Sequence, residues 1–358
     1  MALRPTVWGV LLGVLSLPGV AAAHVEYVTE ASERGDPVAF LVAALGDPVV
    51  VGALAAGAVA VIVSMAGYLW FQPFSADVRA FRRALSEYEE FLPWLFRLSL
   101  GLPMVGAGYA GYLFTPLVTD GATAVPVRPF GVAVGFLLLF GLATRAVALV
   151  ALVTYVALLP IHPDFLFAFE YSAGLVAVLV VGSGRPSADH LLTRLSEDED
   201  TVYSRIDPFY RRVAVPFDRW TEPYQRFVPT IVRVGMGAVF VYLALAEKLL
   251  APEAALAVVD KYGLTTALAV PPELWVLGAA FTELFIGALL LVGFFTRAAS
   301  AAAFAVFTTT LFALPDDPVL AHISLFGLVS ALLVTGAGPF SVDMTSFLAP
   351  DEHGVPAD

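Results

Sequence analysis

The sequence contains no cysteine among its 358 residues, which excludes disulfides, thiolate metal sites, iron–sulfur ligation and dithiol redox chemistry. Lysine is almost as scarce, with Lys248 and Lys261 alone against 17 arginines. Charged residues make up only 14% of the chain, whereas 59% is hydrophobic and the mean hydropathy is +0.83. A soluble domain of this length cannot hide so much apolar surface, so the bilayer must be its solvent. Histidine is limited to His24, His162, His190, His322 and His353. None falls in the middle of an apolar run, so the opposed imidazoles of a bundle haem are missing. No cofactor is evident.

The charge that is present has a pattern. Acidic residues number 31 against 19 basic ones, for a net charge of −12, and they crowd into loops and the tail. An acidic, lysine-poor surface fits a halophilic setting, where salt screens the repulsion between carboxylates. Arg79, Arg82, Arg83, Arg97, Arg145, the seven arginines of 185–226, Arg233 and Arg297 fall on one side of the expected topology. Only Arg34, Arg128, Lys248 and Lys261 fall on the other, a bias that places the first set in the cytoplasm. Nucleic-acid binding is not expected, because these arginines are explained by topology and have acidic residues among them.

Residues 1–23 have Arg4, an apolar stretch from Val7 to Val20, and Ala21-Ala22-Ala23, the layout of a secretory signal peptide or an uncleaved anchor. An exoplasmic segment, 24–47, follows. The uncharged run at 48–74 is long enough for one transmembrane helix, and 75–90 reads as a cytoplasmic amphipathic helix. Two repeats, 91–190 and 227–345, flank a polar cytoplasmic linker at 191–226, and 346–358 form an acidic cytoplasmic tail. The fold class expected is an all-α membrane protein: two tandem, parallel four-helix transmembrane bundles preceded by one transmembrane helix. It belongs in the cell membrane, with the N-terminus outside.

The repeat rests on three landmarks. Phe91 to Arg97 recurs as Phe227 to Arg233, Gly141 to Arg145 recurs as Gly293 to Arg297, and the Gly182, Gly184, Asp189 element recurs as Gly336, Gly338, Asp343. Their order over more than a hundred residues indicates duplication. Arg233, the Glu247-Lys248-Leu249 helix end, Glu283, the segment Gly293 to Ala298, and the G-x-G-x-x-S-x-D spacing that ends at Asp343 together resemble the DoxX-like membrane protein family. The resemblance covers roughly 91–190 and 227–345 and is most specific in the second copy. It implies four-helix units whose relatives include subunits with quinol oxidase or thiosulfate:quinone oxidoreductase activity, and hence a quinone as cofactor. In the first copy Tyr112 stands where Lys248 would be and Gly131 where Glu283 would be.

Glu283 lies near the middle of an apolar helix, where a charge costs a few kcal/mol unless paired or protonated. Lys248 is its expected partner. Glu247, about 100° away on the same helix, is expected to face another neighbour. These three form the candidate charged cluster, either functional or a structural ion pair. Arg97, Arg145, Arg233 and Arg297 are expected to snorkel to headgroups. The paired glycine elements are expected to end helices, with Ser341 or Asp343 capping a following turn. Glu170 in the first copy is expected to be neutralised by Arg128. His24, His162 and His322 offer a weak copper alternative on the outer side; otherwise no metal site is expected.

With no redox centre of its own, the chain must borrow any electron carrier. The leading reading is a quinone- or lipophile-binding accessory subunit of a membrane redox complex. Its partners would be the lipid bilayer, companion subunits and a lipophilic small molecule. The alternatives are a small-molecule or proton-coupled carrier, or a non-catalytic assembly factor or scaffold.

Overall fold

The computed structural model describes residues 35–119, 126–207, 209–266 and 270–345. The signal-peptide segment, His24 and the acidic tail lie outside the described residues. Local sequence sets the first elements. Asp36 accepts from the Val38 and Ala39 amides to open α1 (Pro37–Gly46), and Asp47 accepts from the Val49 amide to open α2 (Pro48–Phe71). Each helix has proline in its first turn, where the missing N–H is no loss. Gln72 in the left-handed conformation ends α2, and α3 (Ser75–Ser86) follows with no buried residue. This helix falls within 75–90, the stretch read from the sequence as amphipathic.

The described residues form two compact units. One gathers the described residues up to Arg83 with Phe240–Phe285 and Ala305–Asp317. Its core joins Phe40 and Ala44 of α1 and Val50 of α2 to Ala255, Val258 and Leu277. Two of the elements supplying it were not foreseen: α1 itself, and α12 (Pro252–Lys261). The sequence pattern concealed both because each has only 10 residues, well below spanning length, and α12 also carries Glu253, Asp260 and Lys261.

The other unit contains Ala84–Val239, Ile286–Phe304 and the chain from Pro318 onward. Helix α4 (Leu92–Ala110) ends on Gly111 in the left-handed conformation, and a two-stranded hairpin follows, β1 (Tyr112–Leu113) with β2 (Thr115–Thr119). The described residues are helical as expected apart from this short hairpin, which takes up the end of the uncharged run 98–119. Gly111 terminates the helix, and the Thr115-Pro116-Leu117-Val118-Thr119 stretch favours extended backbone. Next come α5 (Val127–Phe140), α6 (Thr144–Leu158) and α7 (Glu170–Val181), then the linker helices α8 (Ala188–Glu197), α9 (Val202–Ile206) and α10 (Val215–Thr221). Helix α11 (Val228–Leu243) continues into a π turn, Ala244–Leu249, ahead of α12; α13 (Pro272–Val292), α14 (Thr296–Ala313), α15 (Val319–Thr335) and α16 (Val342–Thr345) complete the chain.

Within this second unit α4 packs on α5 and α15, and α6 packs on α7. Two contacts are related by the repeat. A side chain added at Gly235 would strike Ala173, and one added at Gly327 would strike Ser99. Ser99 and Gly235 each lie two residues after the first arginine of their repeat, and Ala173 and Gly327 each lie nine residues before Gly182 and Gly336. The same pair of positions therefore meets twice with the repeats exchanged.

Among the described residues, four stretches are long and apolar enough to cross a membrane: Pro48–Phe71, Glu89–Ala110, Tyr210–Leu249 and Pro272–Val292. Nine spans were expected from the sequence. The remaining apolar helices of the repeats have 12 to 18 residues, about 18 to 27 Å of helix against a hydrocarbon core of about 30 Å.

Candidate functional site

The π turn Ala244–Leu249 brings the candidate charges together. Its closing bond runs from the Leu250 amide to the Leu245 carbonyl at 2.8 Å, a register one residue wider than in an α-helix. Lys248 Nζ lies 2.8 Å from Glu283 Oε2 on α13 and 3.6 Å from Glu247 Oε2. Glu247 thus shares the neighbourhood of Lys248 rather than facing elsewhere, because the wider turn alters the angle between successive side chains. All three are buried, Lys248 completely.

A fourth member was not read from the sequence. Asp317, in the short loop between α14 and α15, is 3% exposed. Burial pushes its carboxyl up to about 8, with Glu247 acting in the same direction and Lys248 opposing. Its neighbour Asp316 turns outward, where Tyr262 Oη donates to it at 2.8 Å and Lys261 Nζ lies 2.9 Å away. Those two contacts hold the Asp316 carboxyl below its ordinary range. The signal available in the sequence was the pair Asp316-Asp317 in a five-residue connection, 314–318, between two apolar helices. Loops normally face water, and that default concealed which of the two points inward.

The cluster therefore holds three carboxyls, Glu247, Glu283 and Asp317, against the single ammonium of Lys248. Full ionisation would gather three negative charges around one ammonium in a buried site. Burial and like charge both favour the protonated carboxyl, so such a site retains protons. The first copy has no equivalent. Where Glu283 would stand, a Cβ on Gly131 would lie 2.8 Å from the Gly108 Cα, so α4 and α5 approach too closely for a carboxylate between them.

Arg97 and Arg233 do not snorkel, being 1% exposed. Arg233 donates to the carbonyls of Leu290 (2.7 Å), Leu291 (2.6 Å), Ala337 (3.1 Å) and Phe340 (3.1 Å). Arg97 donates to Leu139 and Pro186, the matching carbonyls of the first repeat. Arg145 serves the carbonyls of Leu179 and Val180, and also Asp218 and Thr221; Arg297 serves those of Leu333 and Val334. Each arginine supplies donors to carbonyls that a helix end leaves open. The contacts are with backbone carbonyls, joined at Arg145 by the Asp218 and Thr221 side chains.

Asp189 and Asp343 also act differently from expectation. Asp343 accepts from the Phe295 and Thr296 amides at 2.8 and 2.9 Å, and Asp189 from the Ala143 and Thr144 amides at 2.6 and 2.8 Å. They cap α14 and α6, which begin far upstream in sequence, instead of a turn that follows. Gly182, Gly184, Gly336 and Gly338 all have positive φ, and Gly182 and Gly336 end α7 and α15 against Arg145 and Arg297.

Glu170 is 2% exposed and accepts a hydrogen bond from Ser324 Oγ at 2.9 Å. Ser324 is its counterpart in the second repeat, each lying twelve residues before the helix-ending glycine. Arg128, expected to neutralise it, is exposed, and the side chain that bonds to Glu170 is that of Ser324. The reason is that α7 turns Glu170 toward α15 rather than outward. His322 is fully buried with Nδ1 3.3 Å from the Pro318 carbonyl, and His162 packs beside Phe165. Among the described residues no group of three histidine, aspartate or glutamate side chains is arranged to hold a metal ion.

No curated protein and no solved structure matches the chain. The DoxX family model matches residues 228–322, which include Arg233, Glu247, Lys248, Glu283, Arg297 and Asp317 but none of the first repeat. The match places a DoxX domain at residues 228–322, over the charged cluster, in a chain whose described residues include helices long and apolar enough to cross a membrane.

Proposed function

We propose that the protein is a multi-pass accessory subunit of a membrane redox complex that binds a quinone or a similar lipophile beside Lys248 and Glu283. The observation that carries this reading is the 2.8 Å Lys248–Glu283 contact, buried in helices rich in apolar side chains. An ammonium can donate a hydrogen bond to a carbonyl, and a carboxyl with a retained proton can give it to a reduced oxygen. The electrons would come from the bound carrier and its companion subunits. Two tandem, parallel four-helix units in the cell membrane are part of the same proposal. The reciprocal Gly235–Ala173 and Gly327–Ser99 contacts support the pairing, and the arginine bias supports a cytoplasmic linker and C-terminus. A cleaved signal and a halophilic source complete it.

Three acids around one lysine favour a second reading, a proton-coupled carrier. Both need a site that holds and releases protons, and the two are separated by what binds. Gentle detergent extraction followed by mass spectrometry of bound lipids is expected to recover about one quinone-like molecule per chain from the wild type. Glu283→Gln should reduce that occupancy about tenfold. Wild-type protein free of quinone, yet taking up protons with a solute in vesicles, would replace the first reading with the second.

A further inference from the structure

Asp316 and Asp317 are adjacent but occupy opposite environments. Asp316 is 61% exposed at its side chain and clasped by Lys261 and Tyr262 at the end of α12. Asp317 is 3% exposed and lies within electrostatic reach of Glu247 and Lys248. The other three members of the cluster lie on the π turn and in the middle of α13, both inside long apolar helices. Only Asp317 sits on a loop, one peptide bond from a solvated carboxylate.

We propose that Asp317 is the proton port of the Lys248–Glu283 site, and that the Asp316–Lys261–Tyr262 clasp holds the loop 314–318 closed over it. This rests on the reading of the cluster as a proton-holding site. An anionic Asp317 takes a proton from water, forming an O–H bond. It then passes that proton to an anionic carboxylate of Glu247 or Glu283, breaking the first O–H bond and forming another. Asp317 is left anionic and ready for the next proton, and no electrons move. Delivery in reverse follows the same path.

Charge and geometry both suit the role. The groups that act on the port are Glu247 and Lys248 on the π turn; Glu283 on α13 is joined to it through Lys248, and Asp316, Lys261 and Tyr262 lie at the loop and the end of α12. A carboxyl pushed up to about 8 is a workable donor and acceptor near neutral pH. The clasp is built from exposed side chains, so opening it costs little.

The test is hydrogen–deuterium exchange of the full-length protein in detergent, followed by infrared absorption of protonated carboxyl C=O groups. Glu283→Gln and Glu247→Gln assign the band belonging to the cluster. Asp317→Asn is expected to slow exchange of that band at least tenfold, and Lys261→Gln, which opens the clasp, to accelerate it several-fold. Exchange in Asp317→Asn within twofold of wild type would overturn the port while leaving the proton site standing. Absence of any band lost in Glu283→Gln or Glu247→Gln would remove the proton site itself. Should Asp317→Asn fail to fold, Lys261→Gln decides alone, and an unchanged rate there refutes the clasp and the port it guards.

Discussion

At the scale of single residues, the buried charges of this chain are arranged so that a group from one element compensates a group from another. Lys248 serves two glutamates at 2.8 and 3.6 Å. Asp317, placed by the loop, must be accommodated by burial, and burial makes it weaker as an acid. Its pKa is near 3.8 when solvated and about 8 in the fold. Across that window the unfolded chain releases the proton and the folded chain keeps it. The stability it contributes is therefore complete below the lower value and is lost as pH rises toward the upper one, by at most about 1.4 kcal/mol per pH unit. Thermal unfolding in detergent at pH 5 and pH 8.5 should show this decline, and Asp317→Asn should flatten it and melt higher than wild type at the alkaline end. Lys248 and Glu283 could be paired from sequence because a mid-helix carboxylate in lipid demands a partner. Asp317 could not, since nothing local distinguishes it from Asp316.

At the scale of elements, the two repeats preserve how helices end more faithfully than what they enclose. Arg97 donates to Leu139 and Pro186, the positions that match Leu291 and Phe340 among the carbonyls Arg233 serves, and Asp189 and Asp343 cap equivalent helices 46 and 48 residues from the amides they serve. These long-range caps explain why the landmark residues recurred in the sequence while their partners stayed hidden. A cap recognised from sequence lies within three residues of its amides, and here tertiary packing supplies it. Asp343→Ala should cost about 1 to 2 kcal/mol, and Asp189→Ala a similar amount. Matched losses in reversible detergent denaturation would show that the two hairpins are equivalent; a negligible loss at both sites would show that the caps are incidental. The hairpin at 112–119 marks the opposite case. There the repeat departs from itself, Tyr112 stands in place of Lys248, and the charged site is lost together with the helical turn that would have carried it.

At the scale of the whole molecule, the two copies of the repeated sequence differ in what they enclose, and the buried Lys248–Glu283 pair belongs to the second. The first copy closes α4 onto α5 through Gly108 and Gly131, filling with backbone the place that the second gives to a carboxylate. The absence of cysteine makes the pairing of the copies directly measurable, because any cysteine pair introduced is the only one present. An ideal Cβ on Gly235 lies 3.7 Å from the Ala173 Cα, and one on Gly327 lies 3.4 Å from the Ser99 Cα. A disulfide needs Cβ atoms roughly 3.5 to 4.5 Å apart, and a Cβ added at Gly235 or Gly327 would lie closer than that to the Ala173 Cβ or the Ser99 Cβ, so each pair closes only if the backbones part slightly. Mild oxidation of Gly235→Cys with Ala173→Cys, and separately of Ser99→Cys with Gly327→Cys, should each form a bond within one chain, seen as a shift in electrophoretic mobility reversed by reductant. Because the two pairs are exchanged by the repeat, they must succeed or fail together. One pair closing without the other would show that the copies do not meet symmetrically, and bonds forming only between chains would assign the contact to an oligomer.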